Sequence, residues 1–281
     1  MMAVESLPTS ECGSDGRPDK RLIGRSFGAA AERYDGLAEL QRRVGEKLLS
    51  RLAGMSLAPE RIVDAGSGTG YLATRLIELY PKADLVALDI AEGMLRFAKS
   101  RYGESGAGRL VCGDAEAMPF RDRSIDLVFS NVAIQWCSGL DSVFREIGRV
   151  LRPAGIALFS TFGAETLKEL RSAWASVDDY SHVNRFGDSA AVRSALREAG
   201  FQEIDVAAEV HRLEYGSVYD LMRELKGLGA HNVTLDRPRH LTGKGALRRM
   251  IAAYERQSGG SGLDATFEVV YGCARGPAKC R

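Results

Sequence analysis

The stretch Val63-Asp64-Ala65-Gly66-Ser67-Gly68-Thr69-Gly70 decides the fold of this chain. It extends a short apolar run that begins at Arg61, and it precedes the segment YLATRLIELY, whose apolar spacing is typical of a helix. Glycine tolerates positive φ angles and lets a ligand approach the backbone closely. The pattern therefore predicts a strand, a tight turn and a helix, with a turn that can hold a ligand at the helix N-terminus.

Outward from this turn, apolar runs and helical patterns alternate as far as Ser160. The runs DLVALDI, RLVCGD, IDLVFSN and IALFST are short and rich in Val, Ile and Leu. Such runs between amphipathic helices predict an α/β fold with a doubly wound, mostly parallel sheet. Beyond Ser160, further helices surround two strand-like segments, EIDVAAEVHRLEY and TFEVVYGCAR. They predict a helical lid inserted between late strands, over the sheet edge where ligands bind.

Composition limits the class of protein. The chain has 281 residues, of which 45% are hydrophobic and 27% charged, with a formal net charge of +1. These values predict a folded globular protein and argue against a disordered chain or a nucleic-acid coat protein. We find no run of about 18 apolar residues and no signal peptide, so we expect no membrane contact and a cytoplasmic location. Five Cys without a CxxC pair and four scattered His predict neither a disulfide framework nor a metal site.

The domain organisation follows from the same patterns. Residues 1–20 are polar and predicted to be a disordered tail. Residues 21–281 are predicted to form a single domain with a core over about 44–160. The predicted lid elements cover about 21–43, 162–187 and 217–258.

Three acids fall at the ends of three predicted strands. Asp64 adjoins the glycine turn, where a carboxylate suits an ammonium group better than a pyrophosphate. Asp89 follows the second strand, where an acid accepts the two hydroxyls of a ribose, and Asp114 follows the third, where it can accept an adenine amino group. The combination favours a cationic nucleoside such as S-adenosylmethionine. Two alternatives stay open: a turn without a ligand, and a dinucleotide-binding dehydrogenase, although the glycines lack GxGxxG spacing.

Taken together, the glycine turn and the following acids resemble the class I methyltransferase family over residues 44–160. The resemblance implies a seven-stranded Rossmann-like sheet with S-adenosylmethionine as the methyl donor. Ser67 stands where that family often has Cys. The predicted cofactor-binding residues are Asp64, Gly66, Gly68, Gly70, Asp89, Ile90, Asp114, Ala115 and Asn131.

The remaining segments narrow the resemblance. SFGAAAERYDGLAELQRRV, SNVAIQWCSGLDSVFREIGRVLRPAG, HVNRF and LMRELKGLGAHN are similar to the malonyl-acyl carrier protein O-methyltransferases of biotin synthesis. This resemblance implies methylation of the free carboxylate of malonyl-acyl carrier protein, an early step toward a pimeloyl precursor. The alternatives are a methyltransferase acting on a free small molecule, such as a quinone precursor or a small carboxylic acid, and a binding module without catalytic activity.

A malonyl carboxylate is ionised at neutral pH, so methyl transfer to it requires alignment and exclusion of water rather than a general base. Two residues are candidates near the reacting groups: Tyr34, whose ring could face a sulfonium, and Gln135. Gln135 lies four positions after Asn131, the spacing that places two side chains on one helix face. Each also has a structural alternative, as a core or surface residue.

Binding of the malonyl carboxylate requires positively charged side chains or neutral hydrogen-bond donors. The candidates for this role are Arg185 and Lys226 as cations, with His182, His231 and Asn232 as neutral donors.

A basic stretch near the C-terminus predicts the partner. Between Arg237 and Tyr254 there are five basic residues and no acid, namely Arg237, Arg239, Lys244, Arg248 and Arg249. Because acyl carrier proteins are acidic, we expect these residues to steer the carrier to a monomeric enzyme, although a solvated helix face is the alternative. The patch is small and the chain nearly neutral, which argues against nucleic acid.

Overall fold

A computed structural model describes residues 18–106, 108–230, 243–257 and 262–278 of the chain. The strands are β1 (Arg61–Ala65), β2 (Asp84–Asp89), β3 (Arg109–Cys112), β4 (Ile125–Asn131), β5 (Leu151–Phe162), β6 (Gln202–Tyr215) and β7 (Leu263–Arg275). The helices are α1 (Lys20–Leu37), α2 (Glu39–Ala53), α3 (Tyr71–Leu79), α4 (Glu92–Gly106), α5 (Leu140–Val150), α6 (Lys168–Ala175), α7 (Ser189–Glu198), α8 (Val218–Gly227) and α9 (Lys244–Gln257). Among the described residues, one 3-10 turn covers Ile134–Trp136.

The seven strands form one sheet in the order β3-β2-β1-β4-β5-β7-β6, in which β7 alone runs antiparallel to its neighbours. The prediction of a doubly wound, mostly parallel seven-stranded sheet is confirmed. The chain order reverses between β1 and β4, which lie side by side. In open α/β sheets this reversal creates the crevice in which ligands bind.

Helices cover both faces of the sheet, so its central strands are buried on both sides. Ile62 of β1 belongs to the apolar cluster under α2 and α3, while the adjacent Val63 belongs to the cluster under α5 and α7. This two-sided burial explains why the strands read as continuous apolar runs rather than as alternating patterns. Within the described ranges, no helix is both long and apolar enough to span a membrane.

The first helix lies across α4 at very close range. A Cβ atom built on Gly93 of α4 would lie 2.7 Å from the Cα atom of Gly28 in α1. The contact therefore requires a glycine at position 93, whereas a Cβ atom on Gly28 would lie at an ordinary 3.5 Å from Gly93. Asp19 caps α1 by accepting a hydrogen bond from the Leu22 N–H at 3.1 Å. Asp19 and Lys20 thus belong to a capped helix, and their assignment to the disordered tail was wrong.

Helices also occur in the late part of the chain. Helix α6 follows β5, and α8 and α9 both fall between β6 and β7. Helices α6 and α9 pack on each other. Helices α6 and α8 line the second cavity described below, and α9 packs behind α6.

Candidate active site

The glycine turn adopts the backbone conformation that its sequence predicts. Gly66, Gly68 and Gly70 have φ angles of 79°, 56° and 83°, which other residues rarely adopt. A Cβ atom on Gly66 would lie 2.2 Å from the Cβ atom of Ala133, whereas one on Gly68 would meet no protein atom within 4 Å. Gly66 is therefore required by packing, and Gly68 faces open space in which a ligand could lie against the backbone.

Asp89 at the end of β2 organises this turn. One carboxylate oxygen accepts a hydrogen bond from the Gly68 N–H at 2.8 Å, and the other accepts one from the Ala91 N–H at 2.7 Å. Burial raises the pKa of Asp89, although the backbone hydrogen bonds act to lower it. The carboxylate therefore lies at the cavity wall with its position fixed by two N–H groups.

Asp64 of β1 is buried behind the turn and is 1% exposed. Its Oδ2 atom has no hydrogen-bond partner among the described residues. Burial, followed by the nearby charge of Asp89, raises the pKa of Asp64 to about 8. A cationic ligand group nearby would favour the ionised carboxylate, so the site has the electrostatics that a positively charged ligand requires.

Asp114 lies beyond the end of β3 and contacts a lysine that the sequence reasoning did not select. The Lys20 ammonium, at the start of α1, forms ion pairs with Asp114 and Glu116. Lys20 therefore ties α1 to the third strand end beside the cavity. Because this contact spans 94 positions of the chain, no local pattern could have indicated it.

These strand ends enclose a cavity of about 100 Å³, here called the strand-end cavity. Helix α1 covers it with Ile23, Phe27 and Tyr34. Tyr34 is half-buried, and burial of its hydroxyl raises its pKa above the ordinary value. Phe27 was missed by the sequence reasoning, although its spacing of seven residues from Tyr34 places both on one helix face.

Most of the residues predicted to bind cofactor line the strand-end cavity. Those that do are Gly66, Gly68, Asp89, Ile90, Asp114, Ala115 and Asn131. Asp64 and Gly70 are not part of its wall. Gly70 instead packs toward α4, where its Cβ would lie 3.0 Å from the Cβ atom of Ala98.

The inference that Asn131 and Gln135 share a helix face was wrong. Asn131 is the last residue of β4, and Gln135 belongs to the 3-10 turn that follows. Asn131 lines the strand-end cavity, where its amide donates to the Gln41 carbonyl at 2.9 Å. Gln135 lines a different cavity and donates to the Val132 carbonyl at 2.7 Å. Spacing alone could not reveal that the chain changes from strand to 3-10 turn between them.

Trp136, the last residue of that turn, forms a wall common to two cavities. One is the strand-end cavity, and the other is an adjacent space of about 410 Å³, here called the apolar cavity. The Trp136 ring meets Phe27 edge-on, with ring centroids 5.2 Å apart. Helix α1 therefore contacts the wall between the two cavities directly.

The apolar cavity is bounded mainly by aromatic and aliphatic side chains of β5, α6, α8, β7 and the segment between α6 and α7. These include Phe162, Leu170, Trp174, Phe186, Met222 and Phe267. His182 also lines it, stacked on Trp174 with ring centroids 3.7 Å apart and its Nε2 atom 2.8 Å from Asp178 Oδ1. Lys226 is the one Lys or Arg among the described residues of this wall. A buried apolar space with a single cation suits an acceptor that ends in one negative charge.

The other residues predicted to hold the acceptor lie elsewhere. Arg185 lines two neighbouring cavities but is not part of the apolar cavity wall. His231 and Asn232 lie outside the described residues. The structure therefore places two of the five candidates, His182 and Lys226, at the apolar cavity.

The basic stretch is described in part. Lys244, Arg248 and Arg249 are exposed on α9, which begins at Lys244. Arg237 and Arg239 lie outside the described residues.

Comparison with known proteins defines the class. A family model described as a methyltransferase domain matches residues 63–159. A solved Haemonchus contortus phosphoethanolamine N-methyltransferase superposes with a TM-score of 0.54 at 20% identity, covering 83% of this chain and 52% of its own. The fold and the matched domain are those of a class I methyltransferase.

Closer relatives define the family. A Methylococcus capsulatus malonyl-[acyl-carrier protein] O-methyltransferase is 50% identical over 95% of this chain and 98% of its own length. A Cellvibrio japonicus protein named as a biotin biosynthesis bifunctional protein is 43% identical over 90% of this chain and 49% of its own length. The chain belongs to the malonyl-[acyl-carrier protein] O-methyltransferase family.

Proposed function

We propose that this chain transfers a methyl group from S-adenosylmethionine to the free carboxylate of malonyl-acyl carrier protein, as an early step of biotin synthesis. The names of the relatives above support the reaction and the pathway. The solved phosphoethanolamine methyltransferase contains S-adenosylhomocysteine, the product that S-adenosylmethionine leaves after methyl transfer, which supports the cofactor.

The strand-end cavity fits this cofactor. Asp89 and Asp114 offer acceptors for ribose hydroxyls and an amino group, and Gly68 leaves room beside the backbone. Behind the glycine turn, the buried Asp64 Oδ2 atom has no partner among the described residues, which suits a ligand with an ammonium group. When bound, S-adenosylmethionine supplies an electrophilic methyl group on a positively charged sulfur.

The observation that carries the proposal is the wall shared at Trp136. A donor in the strand-end cavity and an acceptor in the apolar cavity would meet beside this ring, because it lines both. Phe27 supports the ring edge-on and excludes water from the α1 side. Lys226 orients the acceptor carboxylate, and the apolar surroundings keep the reacting oxygen poorly solvated.

The chemistry needs no proton transfer from the protein, since the carboxylate is already ionised at neutral pH. Tyr34 keeps its proton because burial raises its pKa, so it serves as a neutral aromatic neighbour rather than as a base. We assign to Tyr34 a contact with the sulfonium, and to Gln135 no direct role beside the donor. The chain's contribution is alignment of donor and acceptor.

Transfer of labelled methyl from S-adenosylmethionine tests the proposal. We expect a base-labile methyl ester on malonyl-acyl carrier protein and none on acetyl-acyl carrier protein, which lacks the free carboxylate. Free malonate and a quinone precursor serve as competing acceptors. Efficient labelling of either one in place of the carrier substrate would contradict the assignment.

The proposal includes a monomeric enzyme that acts in the cytoplasm without a metal ion. Sedimentation in the presence and absence of carrier protein measures the oligomeric state. Activity that survives extensive chelation and returns no higher on metal addition is the expected result, and a metal requirement would contradict it.

A further inference from the structure

A third space, here called the outer cavity, adjoins the apolar cavity. Its volume is about 670 Å³, and it shares Trp174, His182 and Val183 with the apolar cavity. The three cavities therefore form a row, with Trp136 between the first two and the Trp174–His182 stack between the last two.

Arg171 of α6 contributes a fixed positive charge to this outer cavity. Its guanidinium donates hydrogen bonds to the carbonyls of Ala164 at 3.0 Å and Thr166 at 2.7 Å. Its Nε atom is buried and has no partner within the described ranges. The two carbonyls hold the group in place and carry no net charge. The carboxylates of Glu165 and Glu169 also act on the charge of Arg171, but Glu165 pairs with Lys168 at 2.9 Å and Glu169 accepts from the Thr266 N–H at 3.1 Å.

Arg185 contributes a second positive charge to the same cavity. Its side chain is exposed and makes no hydrogen bond or ion pair with a residue that the structure describes. Burial lowers the pKa of Arg171, and the positive charge of Arg185 lowers it further. Both arginines line the outer cavity, so their like charges repel each other, and an anion between them would relieve that repulsion.

The acids of the outer cavity leave this positive charge available. Asp178 Oδ1 accepts from the Tyr180 N–H at 3.1 Å and lies 2.8 Å from His182 Nε2, so its charge is engaged in the cavity wall. Asp179 also lines the outer cavity and is exposed to solvent, where water screens its charge.

We propose that Arg171 and Arg185 form an anion subsite for the phosphodiester of the thioester arm, and that the arm reaches the apolar cavity through the outer cavity. This inference rests on the proposed function, because the malonyl group must be carried on an arm that contains a phosphate. Arginine suits this role, since its planar guanidinium binds phosphate oxygens in pairs and stays charged. Arg185 is then a residue for the arm and not for the malonyl carboxylate.

Two small thioesters separate phosphate recognition from malonyl recognition. Malonyl-4′-phosphopantetheine carries the phosphate, and malonyl-pantetheine lacks it but is otherwise the same. We expect Arg185→Gln to raise KM for the phosphorylated thioester about tenfold, the loss of roughly one charged hydrogen bond, and to raise KM for malonyl-pantetheine far less. Arg197→Gln, an exposed arginine of α7, is the matched control and should change neither.

The outcomes distinguish this inference from the proposed function. An equal rise in KM for both thioesters would place Arg185 on the malonyl group or in the fold, and no rise for either would remove it from binding; both results overturn the subsite. If malonyl-pantetheine turns over too slowly, inhibition by phosphopantetheine and by pantetheine gives the same comparison. Failure of the wild-type protein to methylate any malonyl thioester would instead contradict the proposed function itself.

The second arginine gives an independent check. Arg171→Lys keeps a positive charge but has fewer donors for the two backbone carbonyls and the anion. We expect it to lower the preference for the phosphorylated thioester while the protein stays folded by circular dichroism. An unchanged preference in folded Arg171→Lys and Arg171→Gln variants would overturn the pairing of the two arginines.

Discussion

Asp64 places a carboxyl group where burial disfavours its charge. The pKa of this group is raised from its ordinary value of 3.8 to about 8. Between these two pH values the folded protein holds a proton that the unfolded chain has released. The free energy of unfolding therefore falls as pH rises through this range, and the full penalty is present above pH 8.

We expect Asp64→Asn to remove this pH dependence, because an amide does not titrate. The free energy of unfolding of the variant minus that of wild type should therefore be larger at pH 8.5 than at pH 5. Urea unfolding of both proteins at both pH values measures this difference. Asp84→Asn, at the opposite end of the neighbouring strand and paired with Arg109, should leave the slope in place. Parallel pH profiles for wild type and Asp64→Asn would show that Asp64 is ionised throughout.

The Asp89 carboxylate is expected to contribute directly to the affinity for the cofactor. Asp89→Ala removes the acceptor for the Gly68 and Ala91 N–H groups and the acceptor predicted for the cofactor ribose. We expect cofactor binding to weaken by about 1.5–3 kcal/mol, the usual range for hydrogen bonds to a charged group. Calorimetric titration of the folded variant measures it, and an affinity equal to that of wild type would remove Asp89 from the site.

In the glycine turn, we expect Gly68 to be needed for cofactor binding and Gly66 to be needed for the stability of the fold. Gly68→Val places a side chain in open space beside the backbone and forces a β-branched residue to a φ of 56°. We expect loss of cofactor binding with the sheet intact, as measured by titration and circular dichroism. Gly66→Ala should instead destabilise the fold, since its Cβ would lie 2.2 Å from that of Ala133. Normal binding by folded Gly68→Val would make the turn a structural bend only.

The close crossing of α1 and α4 is expected to hold α1 in place over the strand-end cavity. Gly93→Ala would place a Cβ atom 2.7 Å from the Gly28 Cα, so α1 must move away. Helix α1 carries Phe27 and Tyr34 over the strand-end cavity. We therefore expect the displacement of α1 to weaken cofactor binding by at least about tenfold, which corresponds to about 1.4 kcal/mol of lost packing. Gly36→Ala, also in α1, meets no atom within 4 Å and is the matched control. Equal affinity in the two variants would separate α1 from the cofactor.

The elements were largely predictable because their signals are local. Each parallel strand is a short run of Val, Ile and Leu, and Gly70 and Asp89 mark where a helix begins and a strand ends. The turn from Asn131 to Gln135 was misread because polar residues at a spacing of four also fit a strand end followed by a 3-10 turn.

The site was predictable only where it follows strands. Asp89 and Asp114 line the strand-end cavity because the carboxyl ends of parallel strands converge at one edge. Lys20 and Arg171 could not be found in this way. Their roles come from contacts between distant segments and from backbone carbonyls, which leave no pattern in the sequence.

At the scale of the whole molecule, α9 presents a basic surface. Lys244, Arg248 and Arg249 are exposed, and opposite charge on an acidic carrier would speed its approach. We expect the double variant Arg248→Glu and Arg249→Glu to raise KM for malonyl-acyl carrier protein. The effect should shrink as salt rises, because exposed charges are screened beyond about 8–10 Å at physiological ionic strength.

Steady-state kinetics at two salt concentrations measures this effect. Activity on malonyl-pantetheine and affinity for the cofactor should change little, since neither involves the carrier surface. The matched control reverses Arg121 and Arg123, two exposed arginines that precede the amino end of the central strand β4. A loss that is equal on both substrates, or that salt does not alter, would argue against steering.

The pairing of β6 with β7 has an evolutionary consequence. Tyr215 and Leu263 are opposite each other in the antiparallel ladder, so the 47 residues from 216 to 262 leave and rejoin the sheet at points only about 5 Å apart. A segment attached in this way can be exchanged as a cassette, because its length has only a weak effect on the entropy of closure. Recombination at these two positions would exchange the α8 side of the apolar cavity, including Lys226, and leave the wall from β5 and α6 and every strand in place.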